Sequence, residues 1–205
     1  MENLLHFFNE VGKLKDMPRR GWVLRGVKNP ETIAEHSFRA ALMAWILGSK
    51  KKLDMERLLK IALVHDLCEI YAGDATPYDS LLPKNKKDLK KLMSTWPRFT
   101  KKEKQRIAEK KHKKEKAGLE KLTINLAPKL RYELINLWMD YEQGLTPEGR
   151  FFKQADRLEN FLQAIEYSQN KEVDEKPWWM QAREMIDDPV LLELIEQISK
   201  KFHKK

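Results

Sequence analysis

At 205 residues the chain can form one domain with a sizeable core, and its formal charge of +9 (pI near 9.4) raises the question of a polyanionic partner. A single cysteine, Cys68, excludes an internal disulfide framework and fits a reducing compartment; the longest apolar run, Ala40 to Leu47, is too short to span a bilayer. The start, Met1-Glu2-Asn3, lacks the basic region and small-residue cleavage site of a signal peptide, so the chain reads as a soluble cytoplasmic protein with no membrane partner.

Helical periodicity dominates the rest. Leu4, Phe8 and Val11, flanked by Phe7 and Leu14, predict a first amphipathic helix closed by Pro18. Gly21 to Val27 could be extended, although no second strand exists to pair with it. Asn29-Pro30-Glu31 reads as a helix start, with a capping side chain, proline at the first position and an acid in the first turn. That helix is expected to reach Leu47 and stop at Gly48. Asp54 caps a further helix expected to continue to Gly73.

Pro77 and Pro83 mark a loop, with Asp79 as a turn residue. From Lys101 to Lys116 the chain carries nine Lys or Arg against three Glu. This segment reads as a polar helix or an arm. No aromatic residue interleaves it for base stacking, which favours a solvated face over a nucleic-acid groove. Pro128 starts a helix through Tyr141. Thr146-Pro147-Glu148 opens another to Ser168, and Asp188-Pro189 opens the last, with Leu191, Leu194, Ile195, Ile198 and Phe202 as its buried stripe. The expectation is an all-α single-domain bundle over 1–205, with a Lys-rich insertion or arm at about 84–121 and a C-terminal helix at about 189–203.

Within "LVHDLCEIYAGD", Leu63 to Asp74, an apolar helix suddenly carries His65, Asp66 and Glu69. Buried charges are costly unless paired or metal-bound, so these need a partner. On a continuous helix His65 and Glu69 lie at i and i+4. Of the other histidines, His6, His112 and His203 fall outside the predicted core. His36 interrupts the stripe Ile33, Ala40, Met43, Leu47 and should point inward. In "FFKQADRLENFL" the buried stripe is Phe151, Ala155, Leu158, Leu162 and Ile165, and Asp156 lies at its edge; taken singly, such an acid is more often an ion-pair partner of an arginine such as Arg157. His36, His65, Asp66 and Asp156 together supply two imidazoles and two carboxylates. That set suits one divalent transition metal, Mn, Co, Ni, Zn or Fe, rather than Ca.

The segments "GWVLRGVKNPETIAEHSFRAALMA", "ALVHDLCEIYAGDATPYD" and "KQADRLENFLQA" resemble, in order and spacing, the HD-domain 5′-deoxynucleotidases, a group of metal phosphohydrolases. The resemblance spans roughly Leu4 to Gln169. It implies an HD-domain helical bundle, a homodimer, and hydrolysis of a deoxynucleoside 5′-monophosphate to nucleoside and phosphate. It places the metal ligands on His36, His65, Asp66 and Asp156 and the catalytic glutamate on Glu69. Asp74 would follow in a catalytic role, with Thr76 and Pro77 in the substrate loop. The nucleotide-contacting tryptophan matches Trp22, and Arg19, Arg20 and Arg25 compete for the phosphate arginine.

On that reading Glu69 orients or deprotonates the attacking water and an arginine clamps the phosphate. Asp74 would serve the sugar or the leaving oxygen. An HD phosphodiesterase of cyclic or linear dinucleotides is the alternative within the fold. A non-catalytic basic nucleic-acid-binding protein is the alternative outside it.

Overall fold

The structure is a computed structural model, and it describes residues 1–95 and 98–202. Among these the chain is all-α. In chain order the helices are α1 (Glu2–Gly12), α2 (Arg20–Arg25), α3 (Ile33–Gly48), α4 (Met55–Val64), α5 (Glu69–Ala72) and α6 (Lys86–Met93). They continue as α7 (Lys101–Thr123), α8 (Pro128–Gln143), α9 (Pro147–Gln169), α10 (Lys176–Met185) and α11 (Pro189–Phe202). A 3₁₀ turn, Lys13–Asp16, follows α1, and the only extended pairing among the described residues is a bridge between Pro18 and Thr32. The C-terminal helix ends at Phe202, and His203 lies outside the described residues.

Packing divides the chain into two compact units, Met1–Glu35 with His65–Asn136 and His36–Val64 with Leu137–Lys205. In the first, α7 lies against α5 and α1. The approach is close because α7 carries Gly118 there. A Cβ at that position would stand 2.6 Å from the Cys68 carbonyl oxygen, closer than side chains tolerate. Leu119 and Leu122 continue the buried face. The Lys-rich segment is thus a helix with a capping box, Thr100 and Glu103 satisfying each other's backbone N–H. Its last two turns belong to the core of this unit.

In the second unit α9 is the central helix, packed by α4, α10 and α11. Phe151, Ala155, Leu158 and Ile165 are buried as the stripe requires, whereas Leu162 is half-buried. Leu191, Ile195 and Ile198 cover them from α11. The Thr146 hydroxyl accepts the Gly149 N–H at 3.2 Å, so the Thr-Pro-Glu start of α9 is as read. Asp54 likewise caps α4 through Arg57 N–H at 3.0 Å.

Four local expectations are corrected, and one helix is added. Gly21 to Val27 is not extended: α2 forms there and ends in a Schellman turn, with Val27 N–H on the Trp22 carbonyl and Gly26 at φ 78°. The start of α3 is set by Thr32 and Glu35, not by Asn29-Pro30, since the Thr32 hydroxyl accepts the Glu35 N–H and Glu35 accepts the Thr32 N–H. The helix from Asp54 does not run to Gly73. It breaks after Val64 into a turn, with Glu69 N–H bonded three residues back to Asp66, and restarts as α5. Phe8 is 64% exposed, so α1 leaves part of its apolar face uncovered. Finally, α10 was not expected. Its Trp178 and Trp179 are buried, and Phe161 meets Trp179 edge-on at 4.6 Å.

Candidate active site

The break after Val64 decides how His65 and Asp66 are presented. On a regular helix neighbouring side chains diverge by about 100°. In the turn they converge, and His65 Nε2 lies 3.2 Å from Asp66 Oδ2. Both residues are buried, His65 at 1% exposure. Arg19 Nη1 donates to the same Asp66 oxygen at 2.9 Å. One carboxylate therefore faces an imidazole and a guanidinium.

Glu69 follows at the start of α5 and is buried, not a surface acid at a helix end. Its Oε2 has no hydrogen-bond partner among the described residues. Burial, with Asp66 and Asp74 as like-charged neighbours, holds this carboxyl well above the usual carboxylate range against the pull of Arg19 and Lys111. A buried carboxylate with an unbonded oxygen beside a His–Asp pair is equipped for proton transfer.

The chain then turns at Gly73, whose φ of 71° and ψ of 153° are open only to glycine. The turn brings Asp74 Oδ2 to within 2.7 Å of the Arg20 backbone N–H. Arg20 Nε donates to Asp79 at 3.2 Å, and the Thr76 hydroxyl donates to the same Asp79 oxygen at 2.9 Å. Asp74, Arg20 and Asp79 line a cavity of about 360 Å³. Pro77 is exposed on the loop. Arg25 turns away, donating to the Gly21 carbonyl and to Tyr78. Trp22 is 2% exposed, and its indole N–H is held by Glu31 at 2.9 Å. Its role visible here is to seat the segment that carries Arg19 and Arg20.

The second unit holds the other imidazole–carboxylate pair. His36 is fully buried on α3, and its Nε2 lies 3.0 Å from Asp156 Oδ1. The second Asp156 oxygen accepts from the Tyr141 hydroxyl at 2.8 Å. Arg157 bonds the Met185 carbonyl instead. His36 Nδ1 meets the carboxylate of Glu159, which is also fully buried and accepts from Arg39 at 2.8 Å. Burial pushes the Glu159 carboxyl up, but His36 and Arg39 outweigh it and hold it below the usual range. This arrangement fixes the His36 ring and leaves Nε2 as the atom with which His36 could hold a metal, the usual support of a metal-bound histidine.

Glu159 and Arg39 were missed in the sequence. The signal was available, since Glu159 is one turn from Asp156 and Arg39 one turn from His36. The donor chemistry fits a borderline divalent ion, because each pair joins an imidazole nitrogen to a carboxylate oxygen. Of the remaining histidines, His6 is exposed and His112 half-buried.

Comparison with known proteins agrees. The chain is 36% identical over 180 residues to the 5′-deoxynucleotidase HDDC2 of Xenopus laevis, covering 88% of this chain and 75% of the relative. Against the protein of the same name from Homo sapiens it is 35% identical, covering 87% and 74%. The solved structure of a conserved hypothetical protein from Pyrococcus furiosus superposes with a TM-score of 0.70 at 26% identity, covering 96% of this chain and 99% of that one. The sequence model of the HD domain matches residues 11–198, a span that contains every residue of the His–Asp and His–Asp–Glu clusters described above; the chain belongs to the HD-domain family.

Proposed function

We propose that the protein is a metal-dependent 5′-deoxynucleotidase, hydrolysing deoxynucleoside 5′-monophosphates to deoxynucleoside and phosphate. The observation that carries the reading is Glu69, a buried carboxylate with an unbonded oxygen beside the His65–Asp66 pair. The relatives named 5′-deoxynucleotidase support the substrate class.

His36, His65, Asp66 and Asp156 would hold one divalent ion, Mn, Co, Ni, Zn or Fe. Such an ion, when bound, supplies a Lewis acid for a phosphoryl oxygen and acidifies water. Glu69 accepts the proton of the attacking water through its buried, unbonded oxygen. Arg19, aligned by Asp66, presents its guanidinium fork to the phosphate, and this is the arginine we assign to the clamp. Asp74 takes a sugar hydroxyl from the cavity wall, while Thr76 and Asp79 hold the loop with Arg20. Glu159 and Tyr141 keep His36 and Asp156 in their rotamers.

The HD segment reads as one domain of a cytoplasmic homodimer. Cys68 is free and buried, consistent with a reducing compartment. No helix among the described residues is long and apolar enough to cross a membrane. For the dimer the support is α3, where Phe38, Trp45 and Ile46 are 68%, 53% and 60% exposed. Their i, i+7, i+8 spacing makes one apolar stripe suited to a second copy.

Phosphate release from deoxynucleoside and ribonucleoside monophosphates and from a bis-phosphodiester, each with Mn, Co, Ni, Zn and Mg, tests the assignment. Release from the deoxynucleoside monophosphates with a transition metal is expected. Release from the diester alone would replace this reading with the phosphodiesterase.

A further inference from the structure

The Lys-rich helix α7 brings one of its cations, Lys114, to the wall of the cavity. Gly118 rests on the Cys68 carbonyl, which lays α7 along α5. Lys114, one turn earlier on the same face, thereby reaches the 360 Å³ cavity and lines it with Asp16, Arg20, Asp74 and Asp79. Lys114 makes no hydrogen bond or ion pair among the described residues, whereas Arg20 is engaged by Asp79.

The wall charges indicate what the cavity accepts. Three carboxylates outnumber two cations, so a phosphate dianion is disfavoured there. A neutral ring bearing both acceptors and N–H donors satisfies both signs. The lining also includes Met17, Val23 and Ile33, which offer apolar surface to a ring face, and the size is that of a small-molecule pocket.

We propose that Lys114 reads the nucleobase, donating to a ring carbonyl oxygen and favouring guanine and thymine over adenine, which has none. An ammonium has three donors and no acceptor, so it selects carbonyl acceptors, while the Asp16 carboxylate on the same wall takes ring N–H or amino groups. The inference rests on the 5′-deoxynucleotidase reading and adds the base-selecting residue to it.

The test measures binding of deoxyguanosine, thymidine and deoxyadenosine by titration calorimetry, and kcat/KM for the three 5′-monophosphates. Wild type is compared with Lys114→Met and Lys114→Arg. A charge-assisted hydrogen bond predicts that Lys114→Met weakens deoxyguanosine and thymidine binding about tenfold or more, with the loss in KM rather than kcat and deoxyadenosine unchanged. Lys114→Arg should retain most of the preference. Equal losses for all three bases, or no loss, would overturn the assignment. Calorimetry with nucleosides needs no turnover, so base selection there without phosphate release from any monophosphate would remove the hydrolase reading and with it this inference about its substrate.

Discussion

The Nδ1 atom of His36 is held by the carboxylate of Glu159, and both side chains are fully buried. This contact fixes the ring with Nε2 turned toward Asp156, and Arg39 anchors the Glu159 carboxylate from the other side. Glu159→Gln should keep the volume and the fold but lower metal affinity by roughly 10- to 100-fold. Competition with a chelator, followed by elemental analysis, reads this directly. Unchanged occupancy would show that Glu159 does not support the ligand.

Glu69→Gln should separate catalysis from metal binding. The variant keeps the shape of the buried side chain and adds no charge, so metal content and thermal stability should match wild type. Loss of a general base predicts a fall in kcat of about 10²- to 10⁴-fold. Turnover of a deoxynucleoside monophosphate at the wild-type rate would remove Glu69 from the mechanism.

Much of this centre was legible because each residue broke a local pattern. His36 stood in an apolar stripe, and His65-Asp66 in an apolar run, where the cost of burying polar groups implies a partner. The Thr146-Pro147-Glu148 start was legible because capping is local chemistry. What could not be read depended on tertiary contact. Nothing in residues 64 to 69 is a helix breaker, so the periodicity ran through the turn that converges His65 on Asp66. The buried turns of α7 were hidden by lysines, since Glu115, Leu119 and Leu122 face inward from a helix whose other side is almost wholly charged. The burial of Trp22 and its bond to Glu31 are likewise tertiary, and nothing in the local sequence announces them.

Gly118 is the contact that seats α7. Gly118→Ala would place a methyl 2.6 Å from a backbone carbonyl oxygen, an atom that cannot swing aside. Overpacking of this kind costs about 1–3 kcal/mol, so the melting temperature should fall by several degrees. Because Lys114 shares this face, base preference should weaken in the same variant. A melting temperature equal to wild type would mean that α7 does not rest on α5 as described.

The α3 stripe makes a prediction about assembly. Trp45→Glu puts a charge into an exposed apolar patch and should leave each chain folded, because Trp45 is 53% exposed. If a second copy covers the stripe, sedimentation should show a wild-type dimer and a monomeric variant with an unchanged helical spectrum. A dimer that survives the substitution would move the interface elsewhere.

Asp140 supplies a pH dependence remote from the catalytic residues. It is fully buried between α8 and the start of α9, accepting from Arg57 at 2.5 Å, from the Thr146 hydroxyl at 2.7 Å and from the Thr146 N–H at 2.9 Å. Burial alone would raise its pKa, but the Thr146 and Arg57 bonds prevail and hold it below the usual 3.8. A carboxyl with a depressed folded pKa stabilises the fold in full above its unfolded value, and that stability is lost as pH falls through the folded value. The wild-type melting temperature should therefore drop on acidification below about pH 4 partly through this group. Asp140→Asn should lower stability at neutral pH, because Arg57 loses its counter-charge and the amide must donate where only acceptors served. It should also flatten the acid limb of melting temperature against pH. An acid limb of the same depth in Asp140→Asn would mean that other carboxyls carry the linkage.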